Sequence, residues 1–304
     1  MADILIHEVG LRDGLQMESV TVPTAQKLAW LRMLMDSGVD IIQVGSFVHP
    51  SKVPQMADTD RLFTEIAESG EKPARVTLSA LVLNEKGLER GLACGVEMFC
   101  LGVSASETHS RKNTGMGVAE ATDRIIAVAL AAGAAGARVQ VSVQSAFGCG
   151  YEGPVPQDRV LGIVRRYREA GLKNISLADT AGHAVPDRVE RMFSALAAAG
   201  GDVEMACHFH NTYGLGLANA YAALKSGVSS FESSAAGLGG CPFTKIAGGN
   251  VCTEDLLHMF RNMGIRRDVR LERIIDVAGD MAKFFARELP GTVYRTGTLM
   301  QAGT

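Results

Sequence analysis

Eight short β-rich runs, at residues 4–8, 41–44, 75–81, 98–103, 138–143, 174–177, 203–209 and 229–233, alternate with amphipathic or Ala-rich helical stretches along the whole chain. Their spacing of roughly 25 to 40 residues is the length of a strand plus a crossover helix and its loops, which predicts parallel βα units. Pro23 and Thr24 open a helix whose Leu28, Leu31 and Leu34 share one face and which stops at Gly38. Comparable helices are expected over 158–170 and 186–199, with Gly171 and Gly200 at their ends. Eight such units in 304 residues describe a (β/α)8 TIM barrel. An open doubly wound sheet is the alternative. It would carry G-x-G-x-x-G after its first strand, where this chain has Val9-Gly10-Leu11-Arg12-Asp13-Gly14. No Pro/Ser-rich linker divides the chain, so a single domain is expected over 1–304. The barrel takes about 1–265, helices follow the eighth strand over 254–262 and 271–287, and the part from about 266 to 304 forms a short C-terminal helical extension.

Thirty basic against thirty-three acidic side chains leave a formal net charge of −3, with no block of like charges. That excludes the electrostatic footprint of a nucleic-acid or anionic-membrane partner and favours a small molecule. The longest apolar stretch, 125–137, is broken by Gly133 and Gly136 and falls short of the roughly 20 residues of a bilayer span. The N-terminus has no basic n-region and reads straight into a strand, so a cytoplasmic location is expected. Six cysteines without a C-x-x-C pair suit reduced thiols; Cys94, Cys100, Cys207 and Cys252 fall in or beside helix and strand patterns and are expected in the core.

The active site of such a barrel lies at the C-terminal ends of its strands. Polar residues expected there are Arg12 and Asp13 after the first strand, Gln43 and Ser46 in and after the second, and Asp179 and Thr180 after the sixth. His208, His210 and Asn211 end the seventh, and Gly237-Leu-Gly-Gly-Cys241-Pro242 with Asn250 follows the eighth. Residues two apart on a strand face the same side, so His208 and His210 both reach the mouth. H-x-H spacing alone also suits a hydrogen-bonded core pair, but at a barrel mouth two buried imidazoles need partners, and Asp13 approaches from the first strand. Imidazoles with a carboxylate and no thiolate suit an octahedral Mg²⁺ or Mn²⁺ better than structural zinc. Arg12 reads either as a strand-end ion pair or as a fixed cation for an enolate or carboxylate oxygen. The glycine-rich segment lacks the Gly-Lys-Ser/Thr of a P-loop and reads as a lid, where Cys241 is either a passive small residue or an acid/base thiol.

Several ordered motifs point one way: Glu8-Val-Gly-Leu-Arg-Asp-Gly-Leu-Gln16, Ser46-Phe-Val with Val53-Pro-Gln-Met-Ala-Asp58, Ser104-Ala-Ser-Glu with Arg111-Lys-Asn113, and Tyr151-Glu-Gly153. Ser176-Leu-Ala-Asp-Thr180, His208-Phe-His-Asn-Thr-Tyr-Gly214, Gly237-Leu-Gly-Gly-Cys-Pro242 and Gly249-Asn250 continue the series. Together they resemble the 3-hydroxy-3-methylglutaryl-CoA lyase family, one of the metal-dependent barrels that include isopropylmalate and homocitrate synthases. The resemblance implies Asp13, His208, His210 and Asn250 as ligands of a divalent cation, Arg12 as stabiliser of a thioester enolate, Cys241 as a catalytic lid thiol and Asp179 as an acid/base near the reacting hydroxyl. Arg12, Gln16, Gln43 and Ser46 are expected to bind substrate. The implied chemistry is retro-Claisen cleavage of an acyl-CoA thioester, by a homodimer or larger homo-oligomer.

Three departures from the lyase pattern stand out. Gln43 stands where a glutamate is usual, Met17-Glu18-Ser19 where Asn-Glu-Lys is common, and Asn211 where aspartate is usual. The same machinery would serve a related 3-hydroxyacyl-CoA, such as isohexenylglutaryl-CoA or citramalyl-CoA. An acetyl-CoA condensing enzyme and a catalytically silent barrel are the further alternatives.

Overall fold

The computed structural model describes residues 3–198, 200, 202–240 and 249–299, and its eight strands close into one parallel barrel in the order β1 to β8. They are β1 (Leu5–Glu8), β2 (Ile41–Ser46), β3 (Thr77–Leu81), β4 (Met98–Ser104), β5 (Arg138–Gln144), β6 (Asn174–Asp179), β7 (Glu204–Phe209) and β8 (Ser230–Ser233). Between them run α1 (Thr24–Ser37), α2 (Thr59–Ser69), α3 (Glu85–Ala93), α4 (Glu107–Thr114), α5 (Val118–Ala134), α6 (Gln157–Glu169), α7 (Pro186–Ala198) and α8 (Gly216–Lys225). After β8 come α9 (Thr253–Asn262), α10 (Leu271–Phe284) and the single turn α11 (Val293–Thr296). No helix of the described residues is long and apolar enough to cross a membrane.

Local signals explain the element ends. Gly38 takes φ 92° and stops α1. Asn84 Oδ1 accepts from Gly87 N at 2.9 Å and Ser106 Oγ from His109 N at 3.1 Å, capping α3 and α4. The expected face of α1 is buried: Leu28, Leu31 and Leu34 turn onto the core, each stabilising the fold by about 2 kcal/mol. Its next face holds Trp30, fully buried against α10, with Nε1 donating to Asp280 Oδ2 at 2.7 Å and Phe284 edge-on at 5.4 Å. α10 ends three residues before the expected 287, since Ala286 takes φ 50°.

Two local irregularities shape the mouth. After β1 the chain makes one π-helical turn, Gly10–Gly14, fastened by the buried Glu8 carboxylate, whose Oε1 accepts from Gly10 N at 2.7 Å and Ala235 N at 3.0 Å. Any side chain at residue 10 would collide with that carboxylate, a Cβ falling 2.6 Å from Glu8 Oε1. In β2 the register with β3 shifts between Gln43 and Gly45, a bulge that adds one residue to the strand.

Candidate active site

A cavity of about 450 Å³ opens at the C-terminal ends of the strands. Arg12, Asp13, Gln16, Gln43, Ser46, Thr180, His208 and His210, all expected there, line it. Gln43 and Ser46 are three residues apart, which strict alternation would send to opposite faces. The β2 bulge restores them to one.

The charged centre is built around Asp13. Its Oδ1 accepts from the Arg12 guanidinium and from Gln16 Nε2 at 2.9 Å. Its Oδ2 faces His208 Nε2 at 3.8 Å and His210 Nε2 at 3.9 Å. Burial opposes ionisation of Asp13, but Arg12 and the two imidazoles outweigh it and hold the carboxyl well below its usual range. Arg12 is gripped on its other side by Gln43, whose Oε1 accepts from Arg12 Nε. The guanidinium is thereby fixed in direction between a carboxylate on one side and a neutral amide on the other.

Glu232, on β8, was not expected from the sequence. Its Oε2 accepts from His208 Nδ1 at 3.0 Å and its Oε1 from Ser176 Oγ at 2.9 Å. Burial disfavours a charged His208, yet the hydrogen bond and charge of Glu232 raise its pKa above the ordinary histidine value. With Nδ1 engaged, the His208 Nε2 lone pair is directed toward Asp13, the orientation that metal-binding histidines take when a carboxylate stands behind them.

These groups fit a divalent cation. Asp13, His208 and His210 form a buried cluster whose ligand atoms lie within 4.8 Å of one another. The 3.8 and 3.9 Å gaps exceed a hydrogen bond but suit two ligands of one ion, which at about 2.1 Å each stand at most about 4.2 Å apart. Asn250, also expected as a ligand, stands behind Asp13: its Nδ2 donates to Asp13 Oδ2 and to Leu238 O, each at 2.9 Å, while its buried Oδ1 has no hydrogen-bond partner among the described residues. A half-turn of the amide exchanges these two atoms.

Three sequence expectations need correction or lie elsewhere. Asp179 was expected near the reacting hydroxyl. Ser176, Ala178 and Thr180 line the cavity, so alternation turns Asp179 to the opposite face, where it is fully buried and its oxygens accept from His183 N at 2.8 Å and Ala184 N at 3.0 Å. Burial pushes it up to about 6 against those bonds, and its work is to fasten the loop after β6. Cys100 is buried as expected but forms part of the cavity floor, and Cys94 is only half-buried at the end of α3. Cys241 lies outside the described residues. Gly240, the residue before it, lines the cavity.

The likeness to known proteins extends over the whole barrel. The HMGL-like family model matches residues 3–281. A hydroxymethylglutaryl-CoA lyase of Bacillus subtilis is 37% identical over 287 residues, covering 94% of this chain and 95% of that protein. A 3-hydroxy-3-isohexenylglutaryl-CoA/hydroxy-methylglutaryl-CoA lyase of Pseudomonas aeruginosa is 38% identical over 273 residues, 90% of each chain. The structure of an HMG-CoA lyase from Acinetobacter baumannii in complex with coenzyme A and 3-methylmalate superposes with a TM-score of 0.92 at 32% identity, over 99% of this chain and 97% of that one. With a closed parallel barrel and a buried Asp-His-His cluster at its mouth, the chain belongs to the HMGL-like family.

Proposed function

We propose that the chain is a divalent-metal-dependent carbon-carbon lyase that cleaves 3-hydroxy-3-methylglutaryl-CoA to acetyl-CoA and acetoacetate. The observation that carries this reading is the convergence of Asp13, His208 and His210 beside the oriented guanidinium of Arg12 in one cavity. Asp13, His208, His210 and Asn250 would hold Mg²⁺ or Mn²⁺, which when bound supplies Lewis-acid polarisation of the substrate's oxygens.

The chain's own residues supply the rest. In a retro-Claisen step the C3 hydroxyl gives up its proton to water in the open cavity, the oxygen becomes the ketone of acetoacetate, and the C2–C3 electron pair passes to the thioester as an enolate. Arg12, held by Gln43 and Asp13, presents its guanidinium to that developing charge before it forms, so little reorganisation opposes the step. Gln16 fixes Asp13 Oδ1 and thereby leaves Oδ2 turned to the imidazoles. The enolate then takes a proton at C2, and Cys241, next in sequence to a residue lining the cavity, is the group we assign as donor. Ser46 and Gln16 border the path of the acyl chain.

The Acinetobacter complex with coenzyme A supports an acyl-CoA thioester as the substrate class. The five described cysteines are free thiols, which suits action in the cytoplasm, and we take the working form to be a homodimer or larger homo-oligomer. The test is incubation of purified protein with 3-hydroxy-3-methylglutaryl-CoA and Mg²⁺. Acetoacetate and acetyl-CoA in equal amounts are expected. Release of free CoA thiol would point to a condensing or hydrolytic activity instead, and no product from any 3-hydroxyacyl-CoA would sink the reading.

A further inference from the structure

Bulky branched side chains ordinarily fill the interior of a (β/α)8 barrel in layers. One layer beneath this mouth is different on three adjacent strands. Gly102 of β4 pairs with Ser142 of β5, and Ser142 with Ser176 of β6; all three line the cavity. A Cβ at residue 102 would lie 2.1 Å from Ser142 Oγ, so the serine hydroxyl fills the place of a β4 side chain and the barrel axis stays open at this level. One layer deeper, Cys100 pairs with Gln140, and both face the same cavity.

Gln140 is the informative residue. It is 2% exposed, and its Oε1 accepts from Cys100 Sγ at 3.7 Å. Its Nε2 is buried without a hydrogen-bond partner among the described residues. An unmade buried donor is costly, and one on a side chain that lines a substrate cavity marks where an acceptor belongs. The charge of that acceptor is constrained by Glu232, whose carboxylate also lines the cavity and is tied to Ser176 of the open layer. A carboxylate-ended branch would face that anion, and a hydrocarbon branch would leave Gln140 unsatisfied.

We infer that Gln140 is a specificity residue: the open layer admits a branch at substrate C3 larger than methyl, ending in a neutral hydroxyl or carbonyl oxygen that accepts from Gln140 Nε2. The inference rests on the lyase reading of the site. The reaction keeps its balance, since the C2–C3 bond still yields acetyl-CoA and the branch leaves unchanged on the 3-oxo acid.

The experiment compares kcat/KM for three thioesters: 3-hydroxy-3-methylglutaryl-CoA, its 3-(3-hydroxypropyl) analogue and its 3-butyl analogue, the last two matched in length. The wild-type protein is expected to prefer the hydroxypropyl over the butyl branch about tenfold. Gln140→Leu, which removes the donor at similar volume, is expected to bring that ratio to about one or below. Ser142→Leu, which fills the open layer, is expected to lower both branched substrates about tenfold relative to the methyl one. A wild-type hydroxypropyl-to-butyl ratio near one overturns the inference whatever the variants do, including variants that fail to fold. A ratio unchanged by Gln140→Leu overturns it as well. Cleavage of none of the three thioesters removes the lyase reading itself, whereas cleavage of the methyl substrate alone removes only this inference.

Discussion

Glu232→Gln isolates the charge behind His208. The substitution keeps the shape of a buried side chain and both of its hydrogen bonds: the amide oxygen accepts from His208 Nδ1, and the amide nitrogen donates to Ser176 Oγ, which reverses its role. What disappears is the negative charge 3.0 Å from the imidazole, which raises the basicity of His208 in a setting where burial lowers it. Loss of such a carboxylate behind a metal-binding histidine weakens metal affinity by about 10- to 100-fold, or about 1.4 to 2.8 kcal/mol. The assay is calorimetric titration of metal-stripped protein with Mn²⁺ at pH 7.5, with circular dichroism to confirm the fold. Glu232→Leu, which also leaves His208 Nδ1 without an acceptor, should weaken binding further. A Kd within twofold of wild type for Glu232→Gln would refute the assignment of His208 as a ligand oriented by Glu232.

Three further perturbations test other parts of the account. Arg12→Lys keeps a cation but loses the fork that joins Gln43 to Asp13, so kcat for 3-hydroxy-3-methylglutaryl-CoA should fall about 10²- to 10³-fold; steady-state kinetics showing less than a fivefold loss would count against its role at the enolate. Lys27 is buried and its Nζ donates to Asp58 Oδ1 at 2.6 Å, bracing the segment before α2; Lys27→Met should cost about 1 to 3 kcal/mol in denaturant unfolding, less than for a fully buried pair because the partly exposed Asp58 rehydrates. Burial pushes Glu254 up to about 8 from an ordinary 4.5, so the folded state holds a proton that the unfolded state has released, and stability falls as pH rises between those values, by about 1.4 kcal/mol per unit. His7, pushed down to about 4, opposes this only below about pH 7, and Glu8, which burial pushes up to about 7, adds to the decline below that pH, so Glu254 is isolated above it. Denaturant unfolding of metal-free protein from pH 7 to 8 should show the decline, Glu254→Gln should reduce it, and an identical slope in the variant would exclude Glu254 as its source.

The barrel was legible because each βα unit carries two independent signals, a short apolar strand and a helix closed by glycine, repeated eight times. The candidate site was legible where polar residues fell together at strand ends: Arg12 with Asp13, and His208 with His210. Other features depended on neighbours that a linear reading does not see. The β2 bulge is a register between two strands, although Gly45 inside a strand is the kind of residue that marks one. Asp179 was misassigned because position at a strand end was allowed to outweigh alternation, and Thr180, one residue later, is the one that faces the cavity. Glu232 went unnoticed as a single acid in a short strand, yet its pairing with His208 across β7 and β8 gives it away once the register is known. Gln140 carries no motif at all, and its interest arises only from burial without a partner.

Retro-Claisen cleavage at a metal-supported site is tested most directly by mass spectrometry of the acetyl-CoA formed from 3-hydroxy-3-methylglutaryl-CoA in D₂O, with and without divalent cation. One deuterium in the acetyl methyl group of each product molecule, one acetoacetate per acetyl-CoA, and no product after chelation are the predicted results. Free CoA without acetyl-CoA, acetyl-CoA without deuterium, or undiminished turnover after complete removal of metal would contradict the account.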